Sequence, residues 1–383
     1  MTYAGFFFIG MVTAVLGPIL PSLTRQWSLT DAQSGLFFSY QFGTSLVAGS
    51  ASSLVALRAG YERTAAFGTL CAAFGIASLA TPVLNVVVAG TVLTCMGVGL
   101  TIPTTNLIVS ARARDRQAAA LSGLNLAWSG GAMTWPIVVA GAGSPTALLL
   151  LAATLGIVGL RMLRWTNSTA RPATEASVPI SQSPRRHESV AHFASLFFLY
   201  GGVETGLGGW LTEYTTRLDP SAGRALTLLP VSAFWGGLTI GRAVSAWKLS
   251  NKHASRVALG GGIVACVAIG MSLFPSDLVT ILAAAAVAGV GLAPIFPATV
   301  AAWSRAPFPR IASSVIAVGS LGGAVLPWGV GAASTWCRSP RCGQLLLFVS
   351  CAGLTVLLNC RRRAGSALEQ REDDSSAPTA TTC

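Results

Sequence analysis

Residues 191–215 read AHFASLFFLYGGVETGLGGWLTEYT, an apolar and glycine-rich stretch with an acid near its middle, Glu204, and a second near its end, Glu213. About 20 apolar residues in a helix cross the hydrocarbon core of a bilayer. At a rise of 1.5 Å per residue, Glu204 lies about 20 Å along such a helix. The stretch therefore predicts a membrane-spanning helix that carries a carboxyl group near the bilayer midplane.

The composition of the 383-residue chain agrees with this interpretation. Hydrophobic residues make up 52% of the chain and charged residues 10%, and the mean hydropathy is +0.63. A water-soluble domain carries about 25% charged residues because its surface needs them. The composition therefore excludes an ordinary cytoplasmic enzyme and a disordered protein. The net charge of +12 does not indicate nucleic-acid binding, because the basic residues lie in short clusters between apolar stretches.

Twelve apolar stretches of span length follow one another along the chain. The sequence therefore predicts an all-α integral membrane protein with twelve transmembrane helices and the lipid bilayer as its surroundings. The predicted spans cover residues 3–23, 32–57, 64–81, 85–111, 117–140, 146–163, 191–215, 222–247, 256–274, 278–304, 311–336 and 343–360.

Basic residues are divided unevenly between the two sets of turns that join these spans. Lysine and arginine accumulate on the cytoplasmic side of membrane proteins. We therefore expect both termini in the cytoplasm and a location in a bacterial-type inner membrane. The basic side holds Arg58, Arg63, Arg112, Arg114, Arg116, Arg161 to Arg186, Lys248, Lys252, Arg256, Arg305, Arg310 and Arg361 to Arg363, whereas the other side holds only Arg25, Arg217, Arg224, Arg338 and Arg341.

A polar connection rich in proline and serine divides the spans into two sets of six. Such a composition is typical of a flexible linker. The predicted organisation is an N-terminal six-helix bundle over residues 1–163, a cytoplasmic linker over 164–190, a C-terminal six-helix bundle over 191–360 and a disordered cytoplasmic tail over 361–383.

The two halves repeat each other's motifs. GVGL begins at Gly97 and recurs at Gly289, and GGA begins at Gly130 and recurs at Gly322, each 192 residues later. An even number of spans gives both halves the same orientation in the membrane. The sequence therefore predicts two pseudo-symmetric bundles, an arrangement typical of carriers whose halves rock about a site at the midplane.

Six plus six spans with a cytoplasmic central loop resemble the major facilitator superfamily, and several motifs are similar to its fucose/glucose–proton symporter branch. The resemblance covers nearly the whole chain. It implies alternating-access transport of a small solute, usually by a monomer. The motifs are LGPILP from Leu16, LNLA from Leu124, YGGVETGLGGW from Tyr200, FWGGLTIGR from Phe234, GLAPIFP from Gly291 and GGAVLPW from Gly322.

The loop between spans two and three departs from the superfamily pattern Gly-x-x-x-Asp-Arg-x-Gly-Arg-Arg/Lys. Arg58 and Gly60 fit this pattern and are assigned to gating or structure, but Leu57 stands where the acid is usual. The charge latch that this loop provides in the family is therefore in doubt. Sugar symporters of the branch also carry acids in spans one and four, where this chain has Gly17 and Ile102.

Glu204 is the main candidate for chemistry. An ionised carboxylate at the bilayer midplane costs at least about 2.5 kcal/mol unless it is paired, protonated or hydrated. We expect it to load and release a proton that drives transport. The alternative is a structural acid that hydrogen-bonds neighbouring helices.

Two further charged residues leave alternatives open. Arg242 lies inside span eight and matches Arg58 of span two, which favours an end-of-helix arginine with a gating or structural role. Its alternative is a partner for Glu204 or for an anionic substrate. Glu213 lies near the outer end of span seven, where we expect it to be solvated, with a gate as the alternative.

Neutral polar and aromatic side chains in the inner spans suit an uncharged solute such as a polyol. Amides both donate and accept hydrogen bonds, and tryptophan offers a flat apolar face. The alternative for each is interhelical packing. The substrate-binding candidates are Gln41, Asn106, Asn125, Trp128, Tyr200, Trp210 and Trp235.

Spans three, six, nine and twelve have almost no such groups, which predicts an outer ring that faces lipid. Gly17, Pro18, Pro294 and Pro297 weaken the helices of spans one and ten and are candidates for bending during gating.

No metal site, cofactor or ATP site is expected. The histidines of HESVAH, from His187, are five residues apart rather than four, and no GxxxxGK[ST] motif occurs. Cys337 and Cys342 flank an outer loop and are either free thiols or a disulfide.

The sequence thus predicts a secondary active transporter for a small solute, with a sugar or polyol favoured and proton symport as the coupling. Proton-coupled efflux of drug-like or metabolic compounds is the alternative mechanism. A membrane sensor that keeps the carrier fold without transport is the alternative of another class.

Overall fold

The computed structural model describes residues 2–113, 116–165, 190–248, 254–274, 277–303 and 312–376, and these ranges are almost entirely helical with no strand. Within them, fourteen helices form twelve spans, because spans one and ten each consist of two consecutive helices. The predicted linker lies almost wholly outside the described residues. The helices are α1 Thr2–Thr13, α2 Leu16–Gln26, α3 Asp31–Ala59, α4 Tyr61–Ser78, α5 Leu84–Ala113, α6 Gln117–Ala142, α7 Ser144–Trp165, α8 Val190–Leu218, α9 Arg224–Lys248, α10 Ala254–Met271, α11 Leu278–Leu292, α12 Ile295–Trp303, α13 Ala312–Cys337 and α14 Pro340–Ser376.

The end of the chain differs from the expectation. A disordered tail is predicted from residue 361, but α14 continues as a helix to Ser376. Residues 377–383 lie outside the described part of the chain.

The spans differ in how deeply they are buried in the bundle. Within the described residues, six spans are apolar enough to cross a membrane by length and composition alone. In the most apolar 18 residues of each span, the buried share is 78% for span one (Thr2–Gln26). It is 33% for spans six and nine and 39% for span twelve. Span one is therefore central, and spans six, nine and twelve form part of the periphery.

Prolines cause the interruptions of spans one and ten. A proline inside a helix lacks the N–H that would bond the carbonyl four residues earlier, and its ring clashes with that carbonyl. Pro18 lies four residues after Ala14, where α1 has ended and α2 has not begun. Pro297 bears the same relation to Ala293, between α11 and α12. Gly17, Pro18, Pro294 and Pro297 thus lie at or beside the two breaks.

Equivalent glycines bring equivalent helices together in the two halves. A Cβ atom on Gly131 would lie 1.8 Å from the carbonyl oxygen of Phe7, and one on Gly322 would lie 1.9 Å from that of Phe198. Phe198 lies 191 residues after Phe7 (198 − 7), and Gly322 lies 191 residues after Gly131 (322 − 131). The GGA motifs alone suggest an offset of 192, which pairs Gly322 with the wrong glycine of the doublet. The packing itself repeats, and this confirms two pseudo-symmetric halves.

The two halves touch on the pseudo-symmetry axis near the middle of spans one and seven. A Cβ atom on Gly17 would lie 2.2 Å from the carbonyl oxygen of its repeat mate Gly208. We call the end of the bundle that holds Asp31, Arg217 and Cys337 the Asp31 end, and the opposite end the Arg58 end. The halves also meet at a second place, where Ser39 of α3 donates to the carbonyl oxygen of Ala324 in α13 at 2.8 Å.

A disulfide closes the turn between α13 and α14 at the Asp31 end. Cys337 and Cys342 are bonded to each other, with their Cα atoms 6.3 Å apart. Of the two states that the sequence leaves open, the structure therefore contains the disulfide. The bond ties the start of α14 to the end of α13.

The glycine contacts make a direct prediction about stability. Gly131→Ala and Gly322→Ala should each lower the midpoint of thermal unfolding in detergent, because the added methyl group overpacks a helix–helix contact, at a typical cost of about 1–3 kcal/mol. Gly141→Ala is the matched control, since nothing lies within 4 Å of its Cβ position. It should be neutral or stabilising, because alanine is the better helix former. Equal midpoints for all three variants would contradict the proposed packing.

Candidate functional site

The centre of the molecule contains a buried ion pair. Glu204 lies at the midpoint of α8, with 14 residues on each side (204 − 190 and 218 − 204), and is 8% exposed. Arg242 of α9 directs its Nη2 atom to the two carboxylate oxygens of Glu204, at 3.0 and 3.2 Å. The same Nη2 donates to the Tyr200 hydroxyl at 3.2 Å. Charge pairing of this kind allows a carboxylate to remain ionised away from water.

The favoured interpretation of Arg242 as an end-of-helix arginine is therefore wrong. Arg58 is exposed one residue before the end of α3, whereas Arg242 lies six residues before the end of α9 and is part-buried. Because Arg242 lies deeper in its helix, its guanidinium is at the level of Glu204 rather than at the end of the bundle. The alternative, a partner for Glu204, is what the structure shows.

Trp128 of the N-terminal half contacts this pair from the other side. The Arg242 guanidinium carbon lies 5.7 Å from the centre of the Trp128 ring, within the range of a cation–π interaction. The Trp128 ring also meets the Trp235 ring edge-to-face, with centroids 5.9 Å apart. Trp128 and Arg242 belong to different halves, so the pair is linked to both bundles.

The break in span one supplies the hydrogen-bonding groups opposite Glu204. The Thr13 carbonyl, no longer needed by a continuous helix, accepts from Nε2 of Gln41 at 2.8 Å. The Thr13 hydroxyl accepts from Nε1 of Trp128 at 2.9 Å and donates to the carbonyl of Ile9 at 2.6 Å. The carbonyl that the break frees and the hydroxyl of the same residue are thus satisfied by side chains of α3 and α6.

A cavity of about 110 Å³ lies between these two groups of residues. The N-terminal half contributes Thr13, Gln41 and Trp128, and the C-terminal half contributes Glu204 and Trp235. Thr13 and Glu204 differ by 191 residues, so the two walls use repeat-related positions (204 − 13). Thr205, next to Glu204, also lines the cavity. The rest of the wall is apolar and consists of Ala14, Leu16, Gly17, Phe38, Phe42, Gly208 and Gly209.

The structure brings together some of the substrate-binding candidates and separates others. Gln41, Trp128 and Trp235 line the cavity, and Tyr200 lies one turn from Glu204 against Arg242. The remaining three, Asn106, Asn125 and Trp210, do not line this cavity.

Each of these three has another environment. Asn106 donates to the carbonyl of Ile102 in its own helix at 2.9 Å. Asn125 lies on the exposed face of α6. Trp210 is buried and donates to the carbonyl of Pro327 at 2.8 Å, so it joins α8 to α13. Sequence reasoning placed these residues in inner spans but did not identify the inner face of each helix.

Sequence reasoning also missed Thr13, Phe38 and Phe42. The repeat offers a signal for Thr13, because it is the position that corresponds to Glu204 once the offset of 191 is used. Phe38 and Phe42 lie within one turn of Gln41 in α3, and all three line the cavity. Their apolar side chains are indistinguishable from lipid-facing ones by hydropathy alone.

The loop residues assigned to gating lie at the Arg58 end, far from the cavity lining. Gly60 has φ of +89° and joins α3 to α4, a conformation that favours glycine. Glu62, next to this turn, forms an ion pair with Arg112 of α5. This pair lies within the N-terminal half and does not cross to the other half.

A second cluster of charges, with two buried acids and one half-buried arginine, joins the two halves at the Asp31 end. Arg217 of α8 binds both carboxylate oxygens of Asp31 in α3, and Nη1 makes one of these contacts at 2.7 Å. Its Nε donates to Oε1 of Glu213 at 2.7 Å. Glu213 is 6% exposed, so the expectation of a solvated side chain is wrong. The packing of α8 against its neighbours removes this side chain from water.

Comparison with known proteins identifies the family. The family model described as Major Facilitator Superfamily matches residues 2–332. No curated protein sequence matches the chain.

Three solved structures illustrate the shared fold. A structure of the nucleoside transporter NupG, in a mutant form, has a TM-score of 0.73 at 14% identity and covers 95% of this chain and 98% of its own. A bacterial homologue of the human lysosomal transporter Spinster, in an inward-facing and occupied conformation, has a TM-score of 0.71 at 14% identity and covers 94% and 93%. The transporter FucP, in the outward conformation, has a TM-score of 0.61 at 16% identity and covers 94% and 97%.

The twelve spans, the repeated helix contacts and the family match over most of the chain agree with one another. The chain belongs to the Major Facilitator Superfamily, and it is a multi-pass membrane protein with the fold of a transporter.

Proposed function

We propose that this chain is a proton-coupled secondary transporter in which Glu204 carries the proton. The observation that supports this most is the ion pair of Glu204 with Arg242, because Glu204 also lines a cavity between two pseudo-symmetric halves. Intramembrane ionisable residues mark ion or substrate pathways by default. The cavity gives the carboxyl group a place where a proton and a solute can reach it together.

The chemistry of the step follows from the contacts of the pair. A proton from cavity water adds to a carboxylate oxygen of Glu204, which removes its charge and weakens its attraction to Arg242. Arg242 keeps its cation, its contact with the Tyr200 hydroxyl and its position over the Trp128 ring. Protonation thus shifts Arg242 toward the N-terminal half, and loss of the proton returns it to the C-terminal half.

The orientation and the conformational state belong to the same proposal. The basic Arg58 end lies in the cytoplasm with both termini, by the distribution of positive charge, in a bacterial-type inner membrane. The ion pair between Asp31 and Arg217 holds the opposite end shut between the halves.

The substrate is proposed to be a small uncharged solute such as a sugar, polyol or nucleoside. Amide, hydroxyl and carboxylate groups of Gln41, Thr13 and Glu204 line the cavity from two sides. The indole rings of Trp128 and Trp235 provide flat surfaces for a ring. NupG is named as a nucleoside transporter and FucP as a fucose–proton symporter, and both solutes fit this class.

Export of drug-like compounds in exchange for protons is the second candidate. It is favoured by one observation, the share of the cavity wall formed by Leu16, Phe38 and Phe42. An apolar wall with few polar groups is the usual lining of drug-sized ligand sites.

The test of coupling uses proteoliposomes that enclose a pH-sensitive dye, with panels of sugars, polyols, nucleosides and hydrophobic cations added outside. Wild type should admit protons together with one class of solute. Glu204→Gln should lose this flux while still exchanging labelled solute across the membrane, because the amide fills the same space without a titratable proton. Glu62→Gln is the matched control and should behave as wild type, since Glu62 pairs with Arg112 away from the cavity.

Two outcomes of this experiment would contradict the proposal. Unchanged solute-driven proton flux in Glu204→Gln would remove the coupling role of that residue. No flux and no exchange with any solute class in wild type would favour a sensor with a carrier fold.

Variants of the ion pair test whether it is ionised in the resting protein. Removing one member of a buried pair typically costs about 3–5 kcal/mol, because the other charge is left uncompensated. Arg242→Gln should therefore lower the unfolding midpoint in detergent more than the double variant Glu204→Gln with Arg242→Gln. Additive losses in the double variant would show that the two side chains are not paired charges.

A further inference from the structure

The charge cluster at the Asp31 end is not neutral when all its members are ionised. Asp31 and Glu213 contribute two negative charges, and Arg217 contributes one positive charge. Both acids are buried, with 9% and 6% of their surfaces exposed. An excess charge that is buried and unpaired is unfavourable, and such a group tends to become neutral instead.

The two carboxylates are not equivalent. Asp31 uses both of its oxygens to bind Arg217, and this pair joins the two halves. Glu213 uses only Oε1, which accepts from Nε of Arg217. Its Oε2 is buried and makes no hydrogen bond with any group in the described ranges.

Glu213 also lines a small void. The void has a volume of about 10 Å³, room for about one water molecule. Its other polar neighbours include Ser334 and Gln344, and Trp210 closes one side. The carboxyl group that lacks a second partner thus borders a space into which a proton or water can come.

Other charged groups near the cluster do not cancel the excess charge from inside. Arg25 of α2 is exposed, and its Nε donates to the carbonyl of Pro21 at 3.2 Å. Arg341, at the start of α14, is exposed on the side of Tyr214. Exposed charges act weakly because water and salt screen them.

We propose that Glu213 is a second proton-binding site, and that the closed Asp31 end holds one proton on its Oε2 atom. The proton comes from water at the Asp31 end when that end is open. It changes the charge of the cluster from minus one to zero as the halves close. This site is distinct from Glu204 and does not depend on a coupling role for that residue.

The proposal fixes the sign of a pH effect. A proton bound only in the closed state stabilises closure at low pH, and the stabilisation is lost as the pH rises. In the proposed orientation, acid outside the cytoplasm would therefore close the Asp31 end.

The experiment measures the distance between spin labels on Val83→Cys and Gly223→Cys, two exposed positions in turns of the two halves at the Asp31 end. Cys266, Cys360 and Cys383 are replaced by serine to prevent unwanted labelling. In reconstituted full-length protein the labels should give one short distance at about pH 5 and an additional longer one at about pH 9, with at least about a threefold rise in the open fraction.

Two variants test the charge count. Glu213→Gln should stay closed at every pH, because the amide accepts from Arg217 and adds no charge. Asp31→Asn should also lose the pH dependence, since Glu213 and Arg217 then balance without a proton, although the end should open more at all pH values. Glu62→Gln should titrate like wild type. Glu204→Gln should keep the pH dependence even where it changes the overall open fraction, which separates this proposal from the one on coupling.

Three results would overturn the proposal. They are a label distance in wild type that does not change with pH, a pH dependence that Glu213→Gln retains, and closure that follows the concentration of Na⁺ rather than pH.

Discussion

A carboxylate in the middle of a membrane-spanning helix is stable only when a cation, a proton or water compensates its charge. Glu204 meets this constraint through Arg242, and the position of both side chains follows from it. Arg242 must lie well inside α9 rather than at its end. Trp128 then lies against the guanidinium from the other half, so that one ion pair contacts both bundles. A charge that can be cancelled by a proton at this point can alter the contact between the halves.

Proline and glycine place the cavity beside this pair. Pro18 interrupts span one after Thr13. The side chain of Gln41 bonds the carbonyl that the break frees, and the side chain of Trp128 bonds the Thr13 hydroxyl. Close contact between the glycines at 17 and 208 brings the two halves together one turn farther along. The break and the close approach leave a space between Thr13 and Glu204, two positions related by the internal repeat. The same chemistry would not arise from a continuous helix, whose carbonyls bond within the helix.

The sequence predicted the twelve spans, the two repeated halves and a carboxyl group at the middle of span seven, because each rests on a strong signal. An acid at the middle of a long apolar stretch is such a signal. It gave the pairing of Arg242 with Glu204 only as the alternative, because position relative to a helix end is a weak guide to depth. Asn106 and Asn125 were assigned to the cavity but do not line it, and the reason is physical. Lipid and protein interior are both apolar, so hydropathy does not show which face of a helix points inward. Glu213 was predicted to be solvated because it lies far from the centre of its span. The sequence did not show the packing that buries it.

Infrared spectroscopy of the reconstituted protein tests directly, without knowledge of the substrate, whether Glu204 exchanges a proton with the cavity. The difference spectrum between acidic and alkaline pH should contain the carbonyl band of a protonated carboxyl group, and the Glu204 component of this band should be absent from Glu204→Gln. A band that persists unchanged in Glu204→Gln, or no carboxyl band at any pH at which the protein stays folded, would contradict the account.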